Sequence, residues 1–157
     1  MRRQSRTFFV YLFLLCLAMA CLACNARVRR SGIPSGAQTA LDAAIEDIDA
    51  GRYDKLYQEA SDEWRAAATL EQSIETFKTL HDKLGNVRIR DLQSAHEEQT
   101  STAPIRGHSL VIVYDLTFDR TVGSPPKPIK GMETFTLLEH DGRWYLARYF
   151  VTSSELR

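Results

Sequence analysis

Hydrophobic residues in the first half of the folded region recur every three to four positions, which is the spacing of one face of an α-helix. From Thr39 to Ala50 the opposite side is acidic, so the pattern predicts an amphipathic helix that ends at Gly51. The apolar positions are Leu41, Ala44, Ile45 and Ile48. The acidic positions, which we expect to face solvent, are Asp42, Glu46, Asp47 and Asp49.

The helical spacing continues through two further segments. Tyr53 to Ala60 repeats it, and Ser61 stands where it can cap another short helix. The sequence from Thr69 to Gln72 matches a capping box, after which an apolar stripe runs to Leu84 and stops at Gly85. The sequence therefore predicts about three helices in this half of the domain.

The hydrophobic period changes to two after Asn86, which is typical of β-strands. Apolar and polar residues alternate from Leu110 to Phe118, and two further strands are predicted over Met132 to Glu139 and Arg143 to Val151. Asp141-Gly142 joins the last two strands and is a strong signal for a two-residue hairpin turn. These two strands should therefore pair antiparallel.

Three other segments of this half carry weaker patterns. Val87 to Ala95 is predicted as a strand, the polar stretch from His96 to Gly107 as a loop or a frayed hairpin end, and Gly123 to Pro128 as a proline-rich connection. Helices followed by a strand meander indicate an α+β domain over residues 38–157, with the helices packed on one face of a curved four-stranded antiparallel sheet. We find no internal repeat and no second domain.

The amino-terminal residues have the organisation of a secretory signal. Basic residues precede an apolar run of 17 residues, from Phe8 to Cys24, in which small residues stand just before two cysteines. This pattern predicts a lipoprotein signal over residues 1–23, with Cys24 as the lipidated residue and Cys21 as the alternative site. Attached acyl chains would anchor the protein, because each buried methylene contributes about 0.8 kcal/mol. Residues 24–37 are predicted to form a flexible tether.

Three alternatives to the lipid anchor follow from the same residues, and one of them is a plain secreted form. An uncleaved membrane anchor remains open, although the apolar run is shorter than the roughly 20 residues that usually span a bilayer. Cys21 and Cys24 could also form half of a zinc or redox site, but the sequence has no second cysteine pair. Asn25 follows Cys24 in place of the Asp that retains lipoproteins in the inner membrane, so the expected location is the periplasmic face of the outer membrane.

Charge and cysteine content narrow the classes of function. The chain has 20 basic and 20 acidic residues, and from Cys24 onward 17 basic residues remain against the same 20 acidic ones. A net charge of about minus three argues against a nucleic-acid binder. All three cysteines lie at or before Cys24, so the folded domain has no disulfide, no cysteine nucleophile and no thiolate metal ligand. We expect no cofactor and no metal.

Candidate acid–base residues in the domain are few. The side chains that could face an internal cavity are Tyr57, Trp64, His81, Tyr114, Asp115, Arg148 and Tyr149. Tyr114 could donate a hydrogen bond to a ligand and His81 could act as a base, and these two are the weak catalytic candidates. The simpler interpretation makes Tyr114 and Tyr149 core aromatic residues with hydroxyls at the rim, and His81 a solvated residue at a helix end. The acidic residues of the strands, Asp115, Asp119, Glu133 and Glu139, are expected on solvated sheet faces.

Several short motifs, in this order and spacing, resemble domain of unknown function 4019. They are Ala60-Ser61, Leu84-Gly85, the strand from Val111 to Asp115, and the run from Asp141 through Trp144 and Tyr145 to Tyr149. The resemblance covers residues 38–152 and departs from the family's pattern at the proline-rich loop and at the start of the third helix. It implies a small bacterial envelope protein, often a lipoprotein, with a nuclear transport factor 2-like or cystatin-like cone. It further implies a homodimer-prone fold with a pocket between helices and sheet, and it brings no established activity.

Two hypotheses of function from different classes remain. In the first, a lipid-anchored, noncatalytic envelope domain binds a small apolar ligand or a protein partner through the cone pocket or the sheet. In the second, an isomerase, dehydratase or hydrolase uses a pocket Tyr or His; a structural role in an envelope assembly is a third. An enzyme requires at least two titratable side chains that converge on one cavity with shifted pKa values, whereas a binding module requires an apolar pocket or patch.

Overall fold

The computed structural model describes residues 32–101, 105–123 and 125–156. The predicted signal, most of the predicted tether and both candidate lipidation sites, Cys21 and Cys24, lie outside the described residues. The helices are α1 (Ser35–Asp49), α2 (Tyr53–Glu59), α3 (Asp62–Ala67) and α4 (Leu70–Leu84). The strands are β1 (Val87–Thr100), β2 (Gly107–Val122), β3 (Lys127–His140) and β4 (Arg143–Ser153), and a 3₁₀ turn follows at Ser154–Leu156. Within the described residues, no helix is both long and apolar enough to span a bilayer.

Helix α1 begins four residues before its predicted start at Thr39. Pro34 occupies the N-cap position, where the missing N–H of proline costs nothing. Ala37 is fully buried, and a Cβ at Gly36 would come within 3.3 Å of the Trp144 ring. The last three residues of the predicted tether, 35–37, are therefore helical, because the small residues let the first turn of α1 pack closely against β4.

The caps of α3 and α4 form as predicted. The Ser61 hydroxyl accepts a hydrogen bond from the backbone N–H of Trp64 at 3.3 Å and caps the short helix α3. The described residues thus contain four helices, where about three were predicted. Thr69 and Gln72 form the complete capping box at the start of α4, with N–O distances of 2.9 and 3.2 Å. Helix α4 then ends at Gly85, whose φ of 83° favours glycine.

The four strands form one antiparallel sheet in the order β1-β2-β3-β4. This meander confirms the predicted α+β class. Asp141 and Gly142 form the tight turn between β3 and β4, both with positive φ (51° and 76°), as a type I′ hairpin turn requires. The helices cover one face, here called the inner face, whose core includes Leu110, Ile112, Phe135 and Leu137.

Two predicted irregular segments are strands. His96 to Thr100 belongs to β1 and pairs with β2 in continuous register from His96↔Val111 to Thr100↔Gly107, so the predicted loop there was wrong. The side chains of this edge segment are polar, and backbone hydrogen bonding to β2 maintains the strand without an apolar pattern. Pro128 lies in β3 opposite Thr121 rather than in the connection before the strand.

Candidate functional site

A cavity of about 280 Å³ opens between the helices and the inner face of the sheet, and we call it the inner cavity. Apolar side chains from α1, α4 and all strands except β3 form much of its wall: Ile48, Leu80, Leu84, Val87, Phe118 and Val151. Aromatic residues line it at Tyr53, Phe77 and Tyr149, and polar groups at Asp49, His81 and Asn86. A mostly apolar concavity with a few polar groups is the usual form of a small-molecule site.

Aromatic rings form a continuous series of stacked and tilted contacts along one wall of the inner cavity. Phe77 lies at the centre, with ring centroids 5.1 Å from Tyr53 and 5.1 Å from Tyr149. Trp64 stacks on Phe77 at 6.1 Å, and Phe135 contacts Tyr149 at 5.2 Å. These contacts fix the rings of this wall in defined positions, so the wall is formed before any ligand is present.

A polar cluster lies beside the aromatic wall and joins three strands to α1. The Arg90 Nε donates to Glu133 Oε2 at 2.6 Å, and both Arg90 terminal nitrogens donate to Asp49 at 3.1 Å. The Tyr149 hydroxyl donates to Glu133 Oε1 at 2.8 Å. Glu133 has no solvent exposure and both its oxygens are bonded, which satisfies the usual requirement for a buried carboxylate.

The electrostatics of this cluster oppose acid–base chemistry at Tyr149. Burial raises the pKa of Tyr149 well above its ordinary value of 10.0, and the Glu133 carboxylate raises it further. Burial also raises the pKa of Tyr53 above 10.0, with added contributions from the carboxylates of Asp82 and Asp49. Both phenols that line the cavity are therefore neutral hydrogen-bond donors at neutral pH.

The two weak catalytic candidates lie in different places. His81 is exposed on α4 and lines the inner cavity. Tyr114 is buried in the core with an edge-on contact to Phe135 at 6.1 Å between centroids, and it is not among the residues that line the cavity. The structure thus does not bring the proposed donor and the proposed base to one cavity.

The other pocket candidates have structural or surface positions. The Tyr57 hydroxyl donates to the Ala68 carbonyl at 3.0 Å, and the Trp64 indole donates to the Ser73 hydroxyl at 3.1 Å. Asp115 and Arg148 are exposed on the outer face of the sheet, opposite to the helices. Of the candidate group, Tyr149 and His81 line the inner cavity.

Two acidic residues expected in solvent are buried. Glu133 shares the inner side of β3 with Phe135 and Leu137, and the strand alternation contained this signal. Asp47 is 1% exposed, and it accepts hydrogen bonds from Arg52 at 2.7 Å and Lys55 at 3.0 Å. Burial alone would raise the pKa of Asp47, but the bonds from Lys55 and Arg52 outweigh burial and lower it below 3.8.

Arg90 is a residue that sequence reasoning missed. The alternation of Val87 and Ile89 predicts that both point inward and that Arg90 points outward. A register shift between Val87 and Ile89 reverses the alternation, so Ile89 is 41% exposed and Arg90 points to the core. The position of a single-residue bulge was not visible in the sequence.

The remaining surfaces offer less defined sites. A shallow cleft of about 530 Å³ between α1 and β4 is lined by small residues and Trp144, and a polar one of about 680 Å³ lies near α3 and the β3–β4 turn. Met132 and Phe150 are 44% and 59% exposed on the outer face. Among the described residues, no group of three His, Cys, Asp or Glu side chains is arranged to hold a metal ion.

Helices packed on one face of an antiparallel meander, with a cavity between helices and sheet, have the nuclear transport factor 2-like fold that the resemblance implies. The fold is similar to the 1.8 Å structure of Aln2 from a Streptomyces species, with a TM-score of 0.50 and 9% identity over 80% of this chain and 96% of that one. A structure described as a calcium/calmodulin dependent protein kinase II association domain, from Xanthomonas campestris, gives a TM-score of 0.46 and 16% identity over 82% of this chain and 92% of that one.

The family follows from the sequence itself. The family described as protein of unknown function (DUF4019) matches residues 40–149, so the chain belongs to this family. The resemblance found in the short motifs is thereby confirmed. A search of curated proteins returns no match to the chain.

Proposed function

We propose that the domain is a noncatalytic binding module that takes a small, largely apolar ligand in the inner cavity. The observation that carries this proposal is the preformed wall of contacting aromatic rings from Tyr53 through Phe77 to Tyr149 beside a cavity of about 280 Å³. That volume lies near the lower end of the range of small-molecule sites, about 300 Å³, so the ligand is small.

The polar cluster supports binding over catalysis. Glu133 is held by Arg90 and Tyr149 and is not among the residues that line the cavity. A proton transfer at Glu133 would first have to break a buried ion pair, which is costly. The geometry therefore favours the binding module over the isomerase, dehydratase or hydrolase of the alternative hypothesis.

A cavity-filling variant tests the proposal. Leu80 is half-buried and lines the cavity, so Leu80→Trp should fill it. Val122→Trp is the matched control, because Val122 is an exposed apolar residue that does not line the cavity. We expect the addition of benzyl alcohol to shift the methyl NMR resonances of Leu84, Val87 and Val151, both in the parent protein and in Val122→Trp.

The same titration should give no such shifts in Leu80→Trp. Shifts that persist in this variant, or that cluster on outer-face residues in the parent protein, would contradict ligand binding in the inner cavity. The dispersion of the amide spectrum shows directly whether each variant is folded.

The location of the protein is a second part of the proposal. The predicted lipoprotein signal over residues 1–23 supports a lipid anchor at Cys24. Asn25 after it supports a location on the periplasmic face of the outer membrane. Mass spectrometry of the native amino terminus should detect an acylated Cys24. Cys24→Ser should release the protein from the membrane fraction, and Cys21→Ser should not. The reverse result would assign the anchor to Cys21. An intact amino-terminal methionine in the mass spectrum would contradict lipidation.

The outer face of the sheet supports a further proposed contact, with a second copy of this chain. Met132 and Phe150 are exposed, and the register places Phe150 opposite Thr134, diagonal to Met132 on the same face. Asp91 and Asp115 lie directly opposite each other on this face, a like-charge pair that is unfavourable in isolation. Arg148, exposed on the same face of another copy, could offset that repulsion.

A further inference from the structure

The inner cavity has a charged side in addition to its aromatic wall. Asp49 lines the cavity and its side chain is 45% exposed, so the carboxylate lies where a ligand entering from solvent would meet it. The carboxylate accepts one hydrogen bond on each oxygen, both from Arg90. Because the two oxygens of a carboxylate together accept about four hydrogen bonds, acceptor capacity remains for a ligand.

Arg90 has little capacity left for an anionic ligand. Its guanidinium makes four hydrogen bonds to the carboxylates of Asp49 and Glu133, and arginine carries five N–H donors. The cluster contains one formal positive charge against two formal negative charges. The cluster therefore has a net formal charge of about minus one, and Asp49 is its charged member that lines the cavity.

Neighbouring carboxylates add to the negative electrostatic potential on this side of the cavity. Asp82 and Asp49 both raise the pKa of Tyr53 and thus contribute negative potential at its ring. Glu133 and Asp49 act in the same direction on Tyr149, although Arg90 opposes them. Aromatic faces are themselves attractive to cations, so the wall and the carboxylate favour the same kind of ligand.

We propose that the ligand of the inner cavity is a small organic cation, an amine with an apolar or aromatic body, whose ammonium group binds Asp49 while its body lies against the aromatic wall. This inference rests on the proposed function, because it requires that the cavity binds a ligand at all. It adds the chemical class of that ligand and the residue that selects it.

Three probes of similar size and different charge test the inference. Benzylamine is protonated at neutral pH, benzyl alcohol is neutral and benzoate is an anion. In amide NMR titrations of the domain, we expect benzylamine to bind about fivefold more tightly than benzyl alcohol, since a partly exposed ion pair contributes about 1 kcal/mol. Benzoate should bind more weakly than both, and the shifts should cluster around Asn86 and Val87.

Matched variants assign the selectivity. Asp49→Asn keeps a hydrogen-bond acceptor for Arg90 but removes the charge, so the preference for benzylamine should disappear while benzyl alcohol still binds. Asp42→Asn, at an exposed position of α1 that does not line the cavity, removes an equal charge and should keep the preference.

The outcomes separate the inference from the proposed function. If none of the probes binds, the binding function itself fails. If all bind equally, or benzoate binds best, the cation inference is overturned while the cavity remains a ligand site. Cation preference that survives in a folded Asp49→Asn variant, or benzylamine shifts outside the cavity, would also overturn it. The parent titrations decide the matter even if Asp49→Asn does not fold.

Discussion

Arg90 and Glu133 lie on strands that do not pair with each other, and their side chains meet across β2 on the inner face of the sheet. The Nε–Oε2 distance is 2.6 Å, Arg90 is opposite Leu116 of β2, and Glu133 is opposite Tyr114 of the same strand. Asp49 extends the contact to α1. The two ion pairs of Arg90 therefore tie β1 and β3 to α1 at the edge of the proposed ligand cavity.

Substitution of Glu133 should lower the free energy of unfolding. Glu133→Gln removes the buried carboxylate that accepts hydrogen bonds from Arg90 and Tyr149, while Arg90 keeps Asp49 as a counter-charge. Because hydrogen bonds to a charged group contribute about 1.5 to 3 kcal/mol, we expect the unfolding free energy to fall by about 2 kcal/mol. Urea unfolding followed by circular dichroism measures this. Glu75→Gln, an exposed position on α4, should change the free energy by less than about 0.5 kcal/mol. Equal effects of the two substitutions would mean that the buried pair does not stabilise the fold.

The sequence predicted the strands and the helix that carry this cluster but not which side chains form it. Alternation along β3 contained the signal that Glu133 shares a side with Phe135 and Leu137, but Glu133 was expected on a solvated face. The Asp141-Gly142 turn was predicted correctly and fixes how β4 returns beside β3. Arg90 points to the cluster because a bulge in β1 reverses the alternation of side chains. A bulge of one residue cannot be recognised from the hydrophobic pattern of the sequence. Asp49 lies on the polar side of its helix as expected, but its partner is more than 40 positions away along the chain.

Asp47 should make the fold sensitive to acid. Its pKa in the folded protein is below the ordinary value of 3.8, so its ion pairs stabilise the fold above that value. The contribution is lost as the pH falls through the folded pKa. Unfolding free energy measured from about pH 5 to pH 2 should therefore fall less steeply in Asp47→Asn than in the parent protein. Asp42→Asn, exposed on the same helix, should retain the parent slope.

His108 should produce a dependence of the opposite sign. Hydrogen bonds to Glu139 and Glu97, both at 2.7 Å, raise its pKa above 6.5. The raised pKa favours the folded state fully below pH 6.5, and this contribution is lost as the pH rises through the folded pKa. Thermal unfolding should show a loss of stability from about pH 6 to pH 8 that His108→Gln reduces. An unchanged pH profile in that variant would contradict the two-carboxylate contact.

Self-association through the outer face should depend on Phe150. Sedimentation velocity of the soluble domain should show dimers that Phe150→Arg converts to monomers, because a desolvated arginine opposite another copy is unfavourable. Val122→Arg is the control, since Val122 is also exposed but lies near the end of β2. A parent domain that sediments as a monomer at all concentrations tested would exclude this contact.

The inner cavity as a ligand site is tested most directly by intermolecular nuclear Overhauser effects between benzyl alcohol and the isotope-labelled domain. The ligand ring protons should show contacts to the rings of Tyr53, Phe77 and Phe118, which surround the cavity. Contacts to Met132 and Phe150 instead, or none in a sample whose amide spectrum is that of the folded protein, would contradict ligand binding in the inner cavity.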